Sequence, residues 1–163
     1  MKIAIAAAVF AIGIGAGGPA AAKPRGAAFL TEAMQGDNSE TILGGIAARR
    51  GASADVRRFG AMLASDHRKG KSEVAALARR MGVPVTDRMA PEAIAERSKL
   101  ARLSGRAFDR EFARYMIEDH RKDIAKFSAE AGSRDRPQFV ALARRTLPVL
   151  HRHLIVARSL ASR

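Results

Sequence analysis

Apolar residues recur at three- and four-residue steps in four long stretches of the chain, the period of helices that bury one face. The first stretch, from about Ala27 to Arg50, places Phe29, Ala33, Gly36, Glu40, Leu43 and Ala47 on one stripe. The second, to about Met81, aligns Phe59, Leu63, His67, Gly70, Val74 and Leu77. The third runs from near Gly105 to Ala131 with Phe108, Phe112, Tyr115, Met116, His120, Ile124 and Phe127 on its apolar side. The fourth, to about Ala161, carries Phe139, Leu142, Leu150, His153, Ala157 and Leu160.

Stop and start signals fall between these stretches. Arg49 and Arg50 suit the negative end of a helix dipole ahead of Gly51, and Ser53 supplies an N-cap for the second helix. Gly82 is placed for a left-handed cap, with Pro84 behind it. Asp135 and Gln138 have capping-box spacing, with Pro137 in the first turn of the fourth helix. Pro148 leaves the carbonyl of Arg144 without a donor and predicts a kink. Between the second and third helices, Pro91 and Glu92 open a short helix through about Leu103. Short links at Gly51 and Gly132 make the helices they join antiparallel neighbours. The expected fold is all-α, a four-helix up-down-up-down bundle with a short extra helix between helices two and three.

Composition sets the domain count and the compartment. The 163 residues are Ala-rich and contain no Cys, which suits a single helical domain held by its core without disulfides. Residues 1–22 read as a cleavable export signal: Lys2, an apolar run from Ile3 to about Ile14, then small residues around Ala20 and Ala22. That run is shorter than the roughly 20 residues a spanning helix needs. A mature domain over 23–163, with no transmembrane span, is expected in the periplasm or associated with the outer membrane. The net charge of +13 becomes +12 once Lys2 leaves with the signal, since no other charged residue lies in positions 1–22. Such a surface would attract anionic envelope components, lipid headgroups or acidic polymers, rather than a specific nucleic acid. The dispersed Arg pairs also suit plainly solvated helix faces.

The second and third helices share a phrase. Phe59 to Lys69 reads FGAMLASDHRK and Phe112 to Lys122 reads FARYMIEDHRK, so Phe, Asp, His, Arg and Lys recur at identical offsets. The repeat implies one helical face used twice, an aromatic anchor followed two turns later by an inward His. His67 lies fifteen residues before Gly82 and His120 fifteen after Gly105. Packed antiparallel with those glycines at one end, the two imidazoles meet at one level. Counting from Gly51 puts Gln35 level with His67 and leaves Glu40 roughly 8 Å away, while His153 is displaced from His120 by roughly 9 Å. Asp66 and Asp119, turned about 100° from their histidines, are expected to pair with Lys69 and Lys122 on a solvated face.

Inward histidines at mid-bundle have two meanings, and both stand open at this stage. Each imidazole can satisfy a neighbour and fix helix register, or His67, His120 and His153 with Glu40 can form a site for a transition metal such as Zn, Cu, Ni or Fe. Di-iron chemistry is disfavoured, because Ala64 and Ile117 stand where such bundles need Glu three residues before His. The sequence has no H-E-x-x-H, no phosphate loop and no Cys nucleophile, and Ser65 faces away from His67, so no catalytic residues are assigned and a non-enzymatic role is expected.

The assembled pattern resembles the bacterial family called domain of unknown function 4142, often labelled predicted outer-membrane proteins. The matching phrases are FLTEAMQGDNSETILGGIAA from Phe29, FGAMLASDHRKGKSEVAALA from Phe59, LSGRAFDREFARYMIEDHRKDIAKF from Leu103 and LPVLHRHLIVARSL from Leu147. The resemblance implies a ferritin-like exported bundle rather than a β-barrel, with the family's His positions carried by His67, His120 and His153. It brings no activity with it.

Overall fold

The structure, a computed structural model, describes residues 25–162. The expected export signal over residues 1–22 lies outside the described residues. Among the described residues, five helices make up an all-α fold: α1 (Arg25–Arg50), α2 (Ala54–Arg80), α3 (Pro91–Ala101), α4 (Gly105–Ala131) and α5 (Pro137–Ala161). Among the described residues, no helix is long and apolar enough to cross a membrane.

Local chemistry accounts for most boundaries. Ser53 caps α2 by accepting from the Val56 N–H at 3.2 Å. Gly82, at φ +69°, lets the Val83 N–H reach back to the Ala78 carbonyl at 2.8 Å and close α2. The expected capping box at α5 does not form. Its N-cap is Arg136, without a side-chain cap bond, and the Asp135 carboxylate accepts from the Arg136 N–H instead. The helix runs through Pro148.

α1 and α2 form a tight antiparallel hairpin. A Cβ added to Gly60 would stand 2.6 Å from both the Ala48 nitrogen and the Gly44 carbonyl oxygen, so the absence of side chains at this crossing lets the two backbones touch. α4 and α5 form the second hairpin; the Arg144 guanidinium of α5 donates to the Ala131 carbonyl at the end of α4.

The order of directions differs from the expected up-down-up-down. The Ala52 and Ser53 N–H groups at the start of α2 both donate to Asp109 in the opening turns of α4, each at 2.8 Å. Phe59 meets Phe112 with ring centroids 6.0 Å apart, and His67 meets His120 at 5.9 Å. Both pairs are offset by the same 53 positions, so α2 and α4 run parallel and in register. Residues 81–104 make this possible. They lead the chain back along the bundle, where a short link would have forced an antiparallel neighbour. This crossover is tied down by Asn38, which donates to the Thr86 and Arg88 carbonyls, by Ser39, which accepts from the Ala90 N–H, and by Arg50, which donates to the Ala101 and Leu103 carbonyls.

The repeat therefore has a spatial meaning. A half-turn about the bundle axis carries α2 onto α4 and α1 onto α5. The core falls into two apolar clusters, one around Phe29, Met34, Leu77, Phe127 and Phe139, the other around Leu43, Phe59, Leu63, Phe108 and Phe112. A polar layer separates them.

Candidate metal centre

That layer holds Glu40, His67, His120 and His153, one from each long helix, and none is more than 5% exposed. Each offers a donor atom within 4.8 Å of the others. All four residues named from the sequence are thus brought together. His151 is exposed, as its position on the helix requires. The sequence-based levels needed correction in two places. Glu40 is in direct ion-pair contact with His67, and His153 lies 3.2 Å from His120, where the counts from the glycines separated both pairs. The hairpin pivots beyond Gly51: a Cβ on Gly51 would meet Val56, so position 51 is level with 56, and 40 with 67.

The outer partners fix which imidazole nitrogen is bare. His120 Nδ1 donates to the Met116 carbonyl at 3.0 Å, an acceptor only, which leaves Nε2 without a proton when the ring is neutral. His153 Nε2 donates to Asp66 at 3.0 Å, which leaves Nδ1 bare. These two bare nitrogens face each other at 3.2 Å. His67 Nδ1 donates to Asp37 at 2.9 Å and turns Nε2 toward Glu40. Both Glu40 oxygens and His67 Nε2 are buried without a hydrogen bond of good geometry. Buried acceptors converging without enough donors form an arrangement that a cation completes.

Titration behaviour follows from the same contacts. Burial acts to raise the Glu40 carboxyl, but His120 and His67 together outweigh it and hold it well below the usual carboxylate range. Burial acts to lower His67, yet the Glu40 and Asp37 carboxylates prevail and raise it well above the ordinary imidazole value. Burial pushes His120 down, with the His67 charge adding to it. His153 is pushed down to about 4 by burial, with His67 and His120 adding and the Asp66 bond opposing. At neutral pH the cluster without metal is therefore one carboxylate, one imidazolium and two neutral imidazoles.

Three residues that matter here were missed in the sequence. Asp66 does not face solvent beside Lys69; it accepts from His153 and, at 2.7 Å, from Arg152. Asp119 is likewise not a surface partner of Lys122 but lies against Glu40, where burial and the Glu40 charge push its carboxyl up to about 9. Asp37 supports His67. The signal for two of them was present, since Asp precedes His in both copies of the repeat. A rotation of 100° turns each away from its own histidine, but toward the next helix rather than toward water.

Among curated proteins, no match is found. In structure, the chain is similar to the crystal structure of a DUF305 fragment from Deinococcus radiodurans, with a TM-score of 0.75 and 21% identity over 86% of this chain and 97% of that one. At that identity the likeness shows the fold alone. The model of the domain of unknown function 4142 (DUF4142) matches residues 14–160, and the chain belongs to that family.

Proposed function

We propose that this chain is an exported, non-enzymatic bundle that holds one transition-metal ion through Glu40, His67, His120 and His153. The observation that carries the reading is the pair of bare nitrogens on His120 and His153, 3.2 Å apart and held that way by the Met116 carbonyl and Asp66. Two lone pairs at that distance repel unless a proton or a cation lies between them. Tetrahedral donors at 2.0–2.1 Å from a metal stand about 3.3 Å apart, so the spacing suits an ion. Support also comes from the outer shell: each imidazole has a carboxylate or carbonyl on its far nitrogen, the usual way a metal-binding His is oriented.

Imidazole and carboxylate donors without thiolate suit Zn, Cu, Ni or Fe. Four protein donors in a layer closed on both sides by apolar clusters favour a metal that is held rather than one that turns over substrate. Export is supported by the pattern of residues 1–22. The test is elemental analysis of the full chain produced without a His tag and exposed to equimolar Zn, Cu, Ni and Fe. One metal per chain, lost in His120→Ala and His153→Ala, is expected. A metal-free protein whose His variants merely melt earlier would show that the cluster only sets helix register.

A further inference from the structure

Glu40 belongs to a second constellation. Asp119 and Asp123, one turn apart on α4, place carboxylate oxygens within 4.8 Å of Glu40 and of each other. Both line a cavity of about 230 Å³ between α1, the crossover and α4, together with Gln35, Ser39, Tyr115 and Lys126. The half-turn symmetry of the bundle explains why this spot is unusual. Asp66 accepts a hydrogen bond from His153; the symmetry counterparts are Asp119 and Glu40. Since a carboxylate stands where the imidazole would be, Asp119 faces an acceptor instead of a donor.

In the metal-free chain a proton shared between Asp119 and Glu40 bridges the two carboxyls, at the place a cation would take. Glu40 is ion-paired with His67, while Asp123 meets Lys126, whose Nζ is 3.6 Å from Asp123 but closer, at 3.1 Å, to Glu32. Asp123 therefore shares one ammonium with Glu32. A separate sign comes from Tyr115, which is 7% exposed and lines the same cavity, yet its hydroxyl has no hydrogen-bond partner.

We propose that a hard divalent cation, of the Ca²⁺ or Mg²⁺ class, binds among Glu40, Asp119 and Asp123, with water from the cavity completing its shell and the Tyr115 hydroxyl at its rim. The donors are all oxygen, which selects this class over the metals that imidazole prefers. Glu40 then serves both sites, one oxygen to each, and joins two metals of unlike chemistry. The inference goes beyond the imidazole site, shares only Glu40 with it and does not need it to be loaded.

The chain has one Tyr and no Trp, so Tyr115 emission is an internal reporter of this cavity. The full chain is titrated at pH 8 with Ca²⁺ and, separately, Mg²⁺, and followed by calorimetry and tyrosine emission. At least one ion is expected to bind once per chain with a Kd below about 1 mM, to change the emission, and to bind at least about tenfold more weakly in Asp123→Asn. His153→Ala should keep this binding, and Asp123→Asn should keep binding Zn²⁺. Neither heat nor emission change with either ion, or an Asp123→Asn variant that binds as the parent does, overturns the proposal. Should Asp123→Asn not fold, Asp119→Asn is read in the same way. Loss of Zn²⁺ binding with Ca²⁺ or Mg²⁺ binding intact would sink only the imidazole reading, and the reverse result only this one.

Discussion

Replacing Asp66 with Ala separates a metal centre from a structural cluster more cleanly than removing any histidine. Asp66 touches no metal donor atom in its own right; it accepts from His153 Nε2 at 3.0 Å and so keeps Nδ1 bare and aimed at His120. Its side chain is 29% exposed, so deletion opens no deep cavity and costs the fold roughly 1 kcal/mol, the worth of one hydrogen bond. The effect on a metal is larger. Losing an outer partner of a ligating imidazole typically weakens metal binding by about 10–100-fold, which corresponds to about 1.4–2.7 kcal/mol. The assay is competition for Zn²⁺ against a chromophoric chelator at pH 7.5. Arg152→Ala is the control: it removes the cation beside Asp66, at 2.7 Å, but leaves the carboxylate bonded to His153, and its affinity should stay within about threefold of the parent. Equal affinities for the parent and Asp66→Ala would refute the orienting role of Asp66 and the tautomer argument built on it.

Further outcomes follow from the same contacts. Because His67 is held protonated while His120 and His153 are held neutral, Zn²⁺ binding at pH 7 should release about one proton per metal; calorimetry in buffers of different ionisation heat that gave three would contradict these assignments. Asp119 is raised in the folded chain, so folding between the ordinary carboxyl value and about 9 takes up a proton, and stability falls as pH rises across that window. Asp119→Asn removes this dependence, and its metal-free urea midpoint should gain on the parent's from pH 5 to pH 8; a constant gap would count against it. Gly60→Ala forces a methyl to within 2.6 Å of the α1 backbone and should destabilise by about 1–3 kcal/mol in urea unfolding, whereas no loss would mean that the hairpin is looser than described.

The helices were legible because their ends are written in local chemistry: Ser53, Gly82 and Pro91 act within a turn of themselves. The inward histidines were legible because burial follows the 3.6-residue period. Direction was not. A link as long as residues 81–104 permits either orientation of α4, and only the contacts of Phe59 with Phe112 and of Asp109 with the α2 N-terminus decide it. With α4 reversed to parallel, the repeat reads differently: its two copies sit side by side in register, and each Asp reaches across to the hairpin partner of the other copy. That is why Asp66 serves His153 and Asp119 meets Glu40, and why both were misjudged as surface residues. The level of Glu40 was misplaced for a related reason, since helix offset within a hairpin is set by the Gly44 and Gly60 packing and not by the link.

Counting donors around the bound ion tests the metal centre most directly. X-ray absorption on the Zn²⁺-loaded full chain should show four light-atom ligands at about 2.0–2.1 Å, with the multiple-scattering signature of three imidazoles, falling to two in His153→Ala. A shell of six oxygens, or a spectrum unchanged in that variant, would place the metal elsewhere and leave the four buried residues as a polar layer that only aligns the helices.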